Sequence, residues 1–217
     1  MQSSQRQIDI YTKWQGEDCN ILINSVAGSG KTTTLLELLR MCEYKTLFLA
    51  FNKSIQEEIQ SKIDKRGLKQ GKAMTIHSLG LSAIKKQYRR FKINNNKNWD
   101  LIKKFSDKFK RELNGIPWNE RVRLSYCLMD MNDISRMFLT NNFVEIKKQF
   151  LAMDKNLPEI SNLEDYWLTF AELRDATYEG DVIEIDFNDM IYLPVIKNLN
   201  IPVNPYYLFV DKNTCSL

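Results

Sequence analysis

A single histidine, His77, occurs among the 217 residues, so no metal centre built from several imidazoles can form. The four cysteines, Cys19, Cys42, Cys127 and Cys215, lie far apart and make no C-x-x-C pair. They read as reduced, structural thiols of an intracellular protein. No apolar run reaches the roughly eighteen residues that a membrane span needs. The N-terminal MQSSQRQIDI lacks the apolar centre of a signal peptide. No internal repeat is visible. What the chain does have is a 43% hydrophobic content, enough for a real core in one large domain or two small ones.

Charge is scarce in sum and uneven in place. The formal net charge is only +4. Between Lys85 and Arg111, however, eleven Lys or Arg stand against two acids, Asp100 and Asp107. Such a patch suits a polyanion, and a solvated helix face is the plainer reading. Tyr88, Phe91 and Trp99 lie among these basic residues. Interleaved aromatic and cationic side chains suit base stacking and phosphate neutralisation, although most aromatics at helical spacing are core.

The segment Asn20–Thr34, NILINSVAGSGKTTT, carries the most chemistry. It reads as an apolar strand over 20–24, a loop of small residues, and a helix opened by Gly30-Lys31-Thr32. A loop of that kind turns backbone N–H groups inward, and the helix N-terminus adds positive potential, which together make a polyphosphate socket. Lys31 can reach the outer phosphates and the Thr32 hydroxyl can hold Mg²⁺. Ser25 stands where the usual pattern has its first glycine. An ordinary glycine-rich turn is the bland alternative. The β-branched residues before the loop and the apolar face of Leu35, Leu36, Leu38 and Leu39 after it argue against that.

The first 85 residues alternate helix and strand. A helix over about 4–14 precedes the 20–24 strand. Lys45–Phe51 is a fully apolar strand, as in a parallel sheet covered on both faces. Asn52 can cap a helix in which Ile55, Ile59 and Ile63 recur every four residues. Residues 73–77 make a third strand. This rhythm predicts a doubly wound α/β core. From about 86 to 179 the chain turns helical. One helix face carries Leu101, Ile102, Phe105, Phe109 and Leu113 up to Asn114-Gly115. Another helix follows Pro117, and a capping box at Ser161–Glu164 opens a further one. Asp186–Asp189 can cap a short helix reaching about Leu193. Residues 206–211 form an apolar strand ending in an acid, the place where phosphate-loop NTPases hold Mg²⁺.

Five blocks, in order, resemble the N-terminal part of UvrD/Rep-type superfamily 1 DNA helicases, closest to the branch with the F-box DNA helicases and phage relatives. Ser4–Gln7 with Ile8 and Ile10 resembles the adenine-reading Q motif. Ala27–Thr34 resembles motif I. Leu49–Glu58 resembles motif Ia, Thr75–Leu79 the next strand-contacting motif, and Ile185–Met190 with Leu208–Asp211 the approach to motif II. The resemblance implies a phosphate-loop, RecA-like parallel sheet interrupted by an all-helical subdomain. The expected division is 1–85 and 180–217 for the RecA-like domain and 86–179 for the insertion. ATP and Mg²⁺ are the implied cofactors. Lys31 and Asp211 would be catalytic, with Thr32 and Asp211 on the metal. Gln7, Ala27, Gly28, Ser29, Gly30, Lys31, Thr32 and Thr33 would hold the nucleotide. Phe51, Asn52, Lys53, Thr75, His77 and Ser78 would touch single-stranded DNA.

The chain departs from the family where motif II should read Asp-Glu-Ala-Gln-Asp. Here the strand leads into Asp211-Lys212, and an ammonium replaces the glutamate that polarises water. The resemblance also leads one to expect a second RecA-like domain, which this sequence does not include. The expected function is therefore the ATP- and single-strand-binding part of a 3′→5′ ATP-dependent DNA helicase that binds nucleotide, hydrolyses poorly and does not unwind alone. Its implied partners are single-stranded DNA and a second RecA-like domain or helicase partner in trans, with no membrane. Its expected location is the cytoplasm, or the nucleus in a eukaryote. The alternative is a non-catalytic, nucleotide-gated DNA-binding module or a truncated helicase remnant. An unrelated phosphate-loop kinase would not require the Ala-Phe-Asn-Lys and Thr-Ile-His-Ser blocks.

Overall fold

The computed structural model describes residues 4–16, 20–23 and 29–210. They form a mixed α/β structure that divides into two compact units. One comprises the chain through Leu79 together with the segment from Val203, and the other is Gly80–Pro202.

In the first unit, α1 (Gln5–Gly16) and α2 (Lys31–Arg40) precede β1 (Thr46–Ala50), α3 (Lys53–Lys65) and β2 (Gly71–Thr75). The helix α4 (Ile76–Gln87) begins directly after β2. The sheet has the order β2–β1–β5, with β5 being Tyr207–Val210, and both pairings are parallel. All five residues of β1 are buried because this central strand is covered on both faces. Phe48 and Ala50 pack with Leu38 and Leu39 of α2, Ile59 and Ile63 of α3, and Phe209. Leu47 and Leu49 face the opposite way, against Leu79 with Met74 and Val203. Trp14 of α1 lies against Tyr207, with ring centroids 4.4 Å apart. Each such large apolar side chain contributes about 1.5–3 kcal/mol when fully buried.

Two expectations for this unit change. Residues 20–23 carry no strand. Ile21 and Ile23 line a cleft of about 930 Å³ with Tyr207, Leu208 and Phe209, and among the described residues the sheet ends at β5. The third strand also ends earlier than expected. Thr75 closes β2, and Ile76, His77 and Ser78 form the first turn of α4.

The second unit holds β3 (Phe91–Ile93), α5 (Lys97–Lys108), α6 (Lys110–Asn114), α7 (Trp118–Phe138), α8 (Phe143–Ala152), α9 (Leu163–Asp175), a 3₁₀ turn at Ala176–Tyr178, β4 (Ile183–Ile185) and α10 (Asp189–Ile196). The expected all-helical insertion at 86–179 thus contains one strand, β3, which pairs in parallel with β4 just beyond it, Phe91 lying opposite Ile183. This pairing draws residues 180–202 in with the helices, whereas the sequence suggested a boundary near 180. The helix expected to run to Leu113 breaks at Phe109, whose N–H still bonds to Phe105 O. Asn162, not Ser161, precedes α9, and no side chain caps it. The core is formed by Leu101, Phe105, Leu128, Met131, Phe150, Trp167 and Phe170 among others. Among the described residues no helix is long and apolar enough to cross a membrane.

Candidate functional site

A cleft of about 930 Å³ in the first unit is lined by Ser4, Gln7, Ser29, Lys31 and Thr34, with Arg6, Asp9, Ile10, Lys13 and residues 20–23. Gly30 precedes α2 in the left-handed region, at φ 85°, a conformation that suits glycine and lets the chain turn sharply into the helix. Gly30, as its N-cap, has no side chain to cap that N-terminus. Lys31 and Thr32 follow, both half-buried, and Thr33 is exposed.

Gln7 is fixed from three sides. Its Nε2 donates to Thr34 Oγ1 at 3.0 Å, and its Oε1 accepts from Ser4 N at 2.9 Å and from Ser4 Oγ at 3.3 Å. Thr34 Oγ1 in turn donates to Gly30 O at 3.1 Å. The fold therefore ties the glutamine of α1 to the first turn of α2. Thr34 was not singled out from the sequence. Its only signal there was its place as the last threonine of the Gly-Lys-Thr-Thr-Thr run. Ala27, Gly28 and Asp211 lie outside the described residues.

A second group gathers where β1 and β2 end. The parallel register sets Ala50 beside Thr75, so the segments that follow leave the sheet side by side. Phe51 is exposed. Asn52 Oδ1 accepts from Ile55 N at 2.9 Å and caps α3. Lys53 is solvent-exposed and lies 3.5 Å from Glu57. Thr75 and Ser78 bond reciprocally: Thr75 N donates to Ser78 Oγ at 3.0 Å and Ser78 N to Thr75 Oγ1 at 3.1 Å. His77 is half-buried, and burial lowers its pKa. Polar tips held at one sheet end by helix caps are preorganised hydrogen-bonding groups. The structure thus brings the sequence-selected residues into two groups, one around Lys31 and one around Asn52 and Thr75.

The second unit holds a buried ionic network that composition did not reveal. Asp189 Oδ2 accepts from Lys97 Nζ at 2.6 Å, and Oδ1 accepts from Arg136 at 3.0 Å and from Tyr178 Oη at 2.5 Å. Arg136 also reaches both oxygens of Asp186 at 2.7 Å. Burial opposes ionisation of Asp189. The charges of Lys97 and Arg136, with the hydrogen bonds from Lys97 and Tyr178, outweigh it and hold the carboxyl below the usual range. Burial first, and then the Asp189 charge, pushes the Tyr178 phenol far up. Every member is engaged with another, so the cluster locks α5, α7, β4 and α10 together and presents no free nucleophile. Among the described residues no group of three or more His, Cys, Asp or Glu is disposed to hold a metal ion.

A family model described as the UvrD/REP helicase N-terminal domain matches residues 5–200. The chain is also similar to the ATP-dependent DNA helicase Rep of Buchnera aphidicola subsp. Schizaphis graminum (strain Sg), 28% identical over 217 residues. That match covers 88% of this chain but 30% of the relative, so the chain spans less than a third of that protein's length.

Proposed function

We propose, because the chain belongs to the UvrD/REP helicase N-terminal domain family, that it is the ATP-binding and single-strand-binding part of an ATP-dependent DNA helicase. The observation that carries this reading is the cleft in which Gln7, Ser29 and Lys31 meet. Its volume of about 930 Å³ suits a nucleotide. Its donors are those a triphosphate requires: an uncapped helix N-terminus, a lysine and hydroxyls. On this reading the first unit is a phosphate-loop, RecA-like domain and the helices of the second are its insertion.

The same reading assigns the roles. Lys31 would neutralise the outer phosphates, with the backbone N–H groups that open α2 beside it. Thr32 and Asp211 would hold Mg²⁺, which would supply charge neutralisation at the phosphates. Gln7 Nε2 keeps one proton beyond the one given to Thr34, and Oε1 can exchange its long Ser4 Oγ contact for a stronger donor. A carboxamide in that state can pair with the adjacent acceptor and donor of an adenine edge. Bound ATP supplies the phosphoanhydride whose cleavage drives stepping in a helicase. Phe51, Asn52, Lys53, Thr75, His77 and Ser78 form the grip on the single strand. A second RecA-like domain is the partner proposed to close the cleft and give 3′→5′ movement.

A second reading, a nucleotide-gated module that does not hydrolyse ATP, draws on Lys212, which stands where a carboxylate would polarise water. Phosphate release with and without single-stranded DNA separates the two readings. The nucleotide site itself is tested by titrating fluorescent ATP into the native chain and Lys31→Ala. Weakened binding in the variant supports the site, and equal affinity removes it.

A further inference from the structure

Apart from the residues assigned above, α5 and α7 of the second unit present aromatic and cationic side chains along one seam. Trp99, Lys103 and Ser106 recur on one face of α5, and Lys110 follows at the start of α6. Trp118, Arg121, Val122 and Ser125 recur on one face of α7, with Tyr126 beside them. Phe105, Phe170 and Trp167 of this unit are buried, whereas Trp99 is 51% exposed, Tyr126 54% and Trp118 72%. Trp99 and Tyr126 meet edge to face, with centroids 5.8 Å apart and an interplanar angle of 82°. Trp118 sits eight residues before Tyr126, roughly 12 Å along the helix at about 1.5 Å per residue.

Near the Trp118 end the seam opens into a pocket of about 370 Å³ lined by Lys110, Asn114, Trp118, Arg121 and Ser125, with Asp107 on the same wall. Arg121 lines this pocket, and a planar guanidinium fits phosphate oxygens well; among the described residues its Nε, like the neighbouring Glu120 Oε2, is buried without a hydrogen-bond partner. Glu120 lies in the first turn of α7 and pairs with Arg123, so the positive charge at this wall is that of Lys110 and Arg121.

We propose that this α5–α7 seam is a second contact track for single-stranded DNA, separate from the residues at the end of the sheet. Arg121 and Lys110 take a backbone phosphate in the pocket. Trp118 on one side and the Trp99–Tyr126 pair on the other stack bases. Stacking on aromatic faces with cations beneath the backbone binds a strand without reading its sequence. The inference rests on the DNA-binding reading above but uses none of its residues.

The test is fluorescence anisotropy of a labelled oligo(dT) against the full chain over a range of salt. The variants are Trp118→Ala, Trp118→Phe, Tyr126→Ala and Arg121→Gln, with Lys53→Ala reporting on the other track. Urea unfolding of each variant checks the fold. Losing a stacked base should weaken binding by roughly tenfold in Trp118→Ala and Tyr126→Ala, and Trp118→Phe should restore most of it. Arg121→Gln should weaken binding and make the log–log salt slope shallower by about 0.7, the share of one phosphate on a single strand. If the seam variants bind like the native chain while Lys53→Ala binds less, this inference is wrong and the DNA-binding reading survives. If the native chain binds no oligonucleotide at any salt, both fall. A weaker Arg121→Gln with an unchanged slope overturns the phosphate contact.

Discussion

Gln7 of α1 and Thr34 of α2, 27 residues apart, are joined by a 3.0 Å hydrogen bond from the Gln7 amide to the Thr34 hydroxyl, which itself donates to Gly30 O. One hydroxyl thus aligns the proposed base-reading side chain with the turn that opens the proposed phosphate loop. Thr34→Val keeps the shape and removes the link. The expected outcome is a loss of about 1 kcal/mol in urea unfolding and a narrower preference for ATP over GTP in nucleotide titration. An unchanged preference would show that Gln7 needs no such anchor.

The Asp189 network predicts a severe effect from a nearly isosteric change. Asp189→Asn leaves Lys97 and Arg136 buried with one fewer negative charge between them. The expected cost is about 3–5 kcal/mol, read from the urea midpoint. Acid sensitivity follows with a definite sign. Because the folded carboxyl titrates below its unfolded value, the stabilisation is fully present above about pH 4 and is lost as pH falls through the folded pKa. The drop in midpoint below pH 4 should be smaller in Asp189→Asn than in the native chain.

Gly80 is required by a close approach. A Cβ built there would lie 1.8 Å from Met190 O and 2.9 Å from Met190 C, both backbone atoms of α10. Gly80→Ala should therefore destabilise the protein by about 1–3 kcal/mol, since α4 and α10 must separate to admit a methyl group. Gly16→Ala is the control: nothing lies within 4 Å of a Cβ at that position, and the midpoint should stay within about 0.5 kcal/mol of native.

Asn52 has two separable duties. Its side chain caps α3 through Ile55 N. Asn52→Ala should cost about 1 kcal/mol by denaturation. Asn52→Asp keeps the cap but sets a negative charge at the proposed strand grip. It should fold like the native chain and bind oligo(dT) more weakly. Equal binding by Asn52→Asp would remove Asn52 from that grip.

Cys127 is buried on α7, and burial first, then the Asp130 charge, push its thiol up to about 12. At pH 8 it should resist iodoacetamide in the folded chain and react after urea unfolding, as followed by peptide mass spectrometry. Rapid native labelling would mean that α7 opens locally.

By itself the sequence determined the features written in neighbouring residues. The apolar run of β1, the cap at Asn52, the Ile59 and Ile63 face of α3 and the Gly30-Lys31-Thr32 opening of α2 depend on offsets of two to four positions, which helix and strand periodicity fix. Only the tertiary structure decided the rest. An apolar segment becomes a strand only when another edge lies within hydrogen-bonding reach. Ile21 and Ile23 had the composition but pair with no strand among the described residues, whereas the short Phe91–Ile93 found its partner in Ile183–Ile185. The Gln7–Thr34 bond, the Lys97–Asp189 pair 92 residues apart and the Gly80–Met190 contact likewise join positions between which no local period runs. Their geometry was set by how packed helices bring distant backbone together.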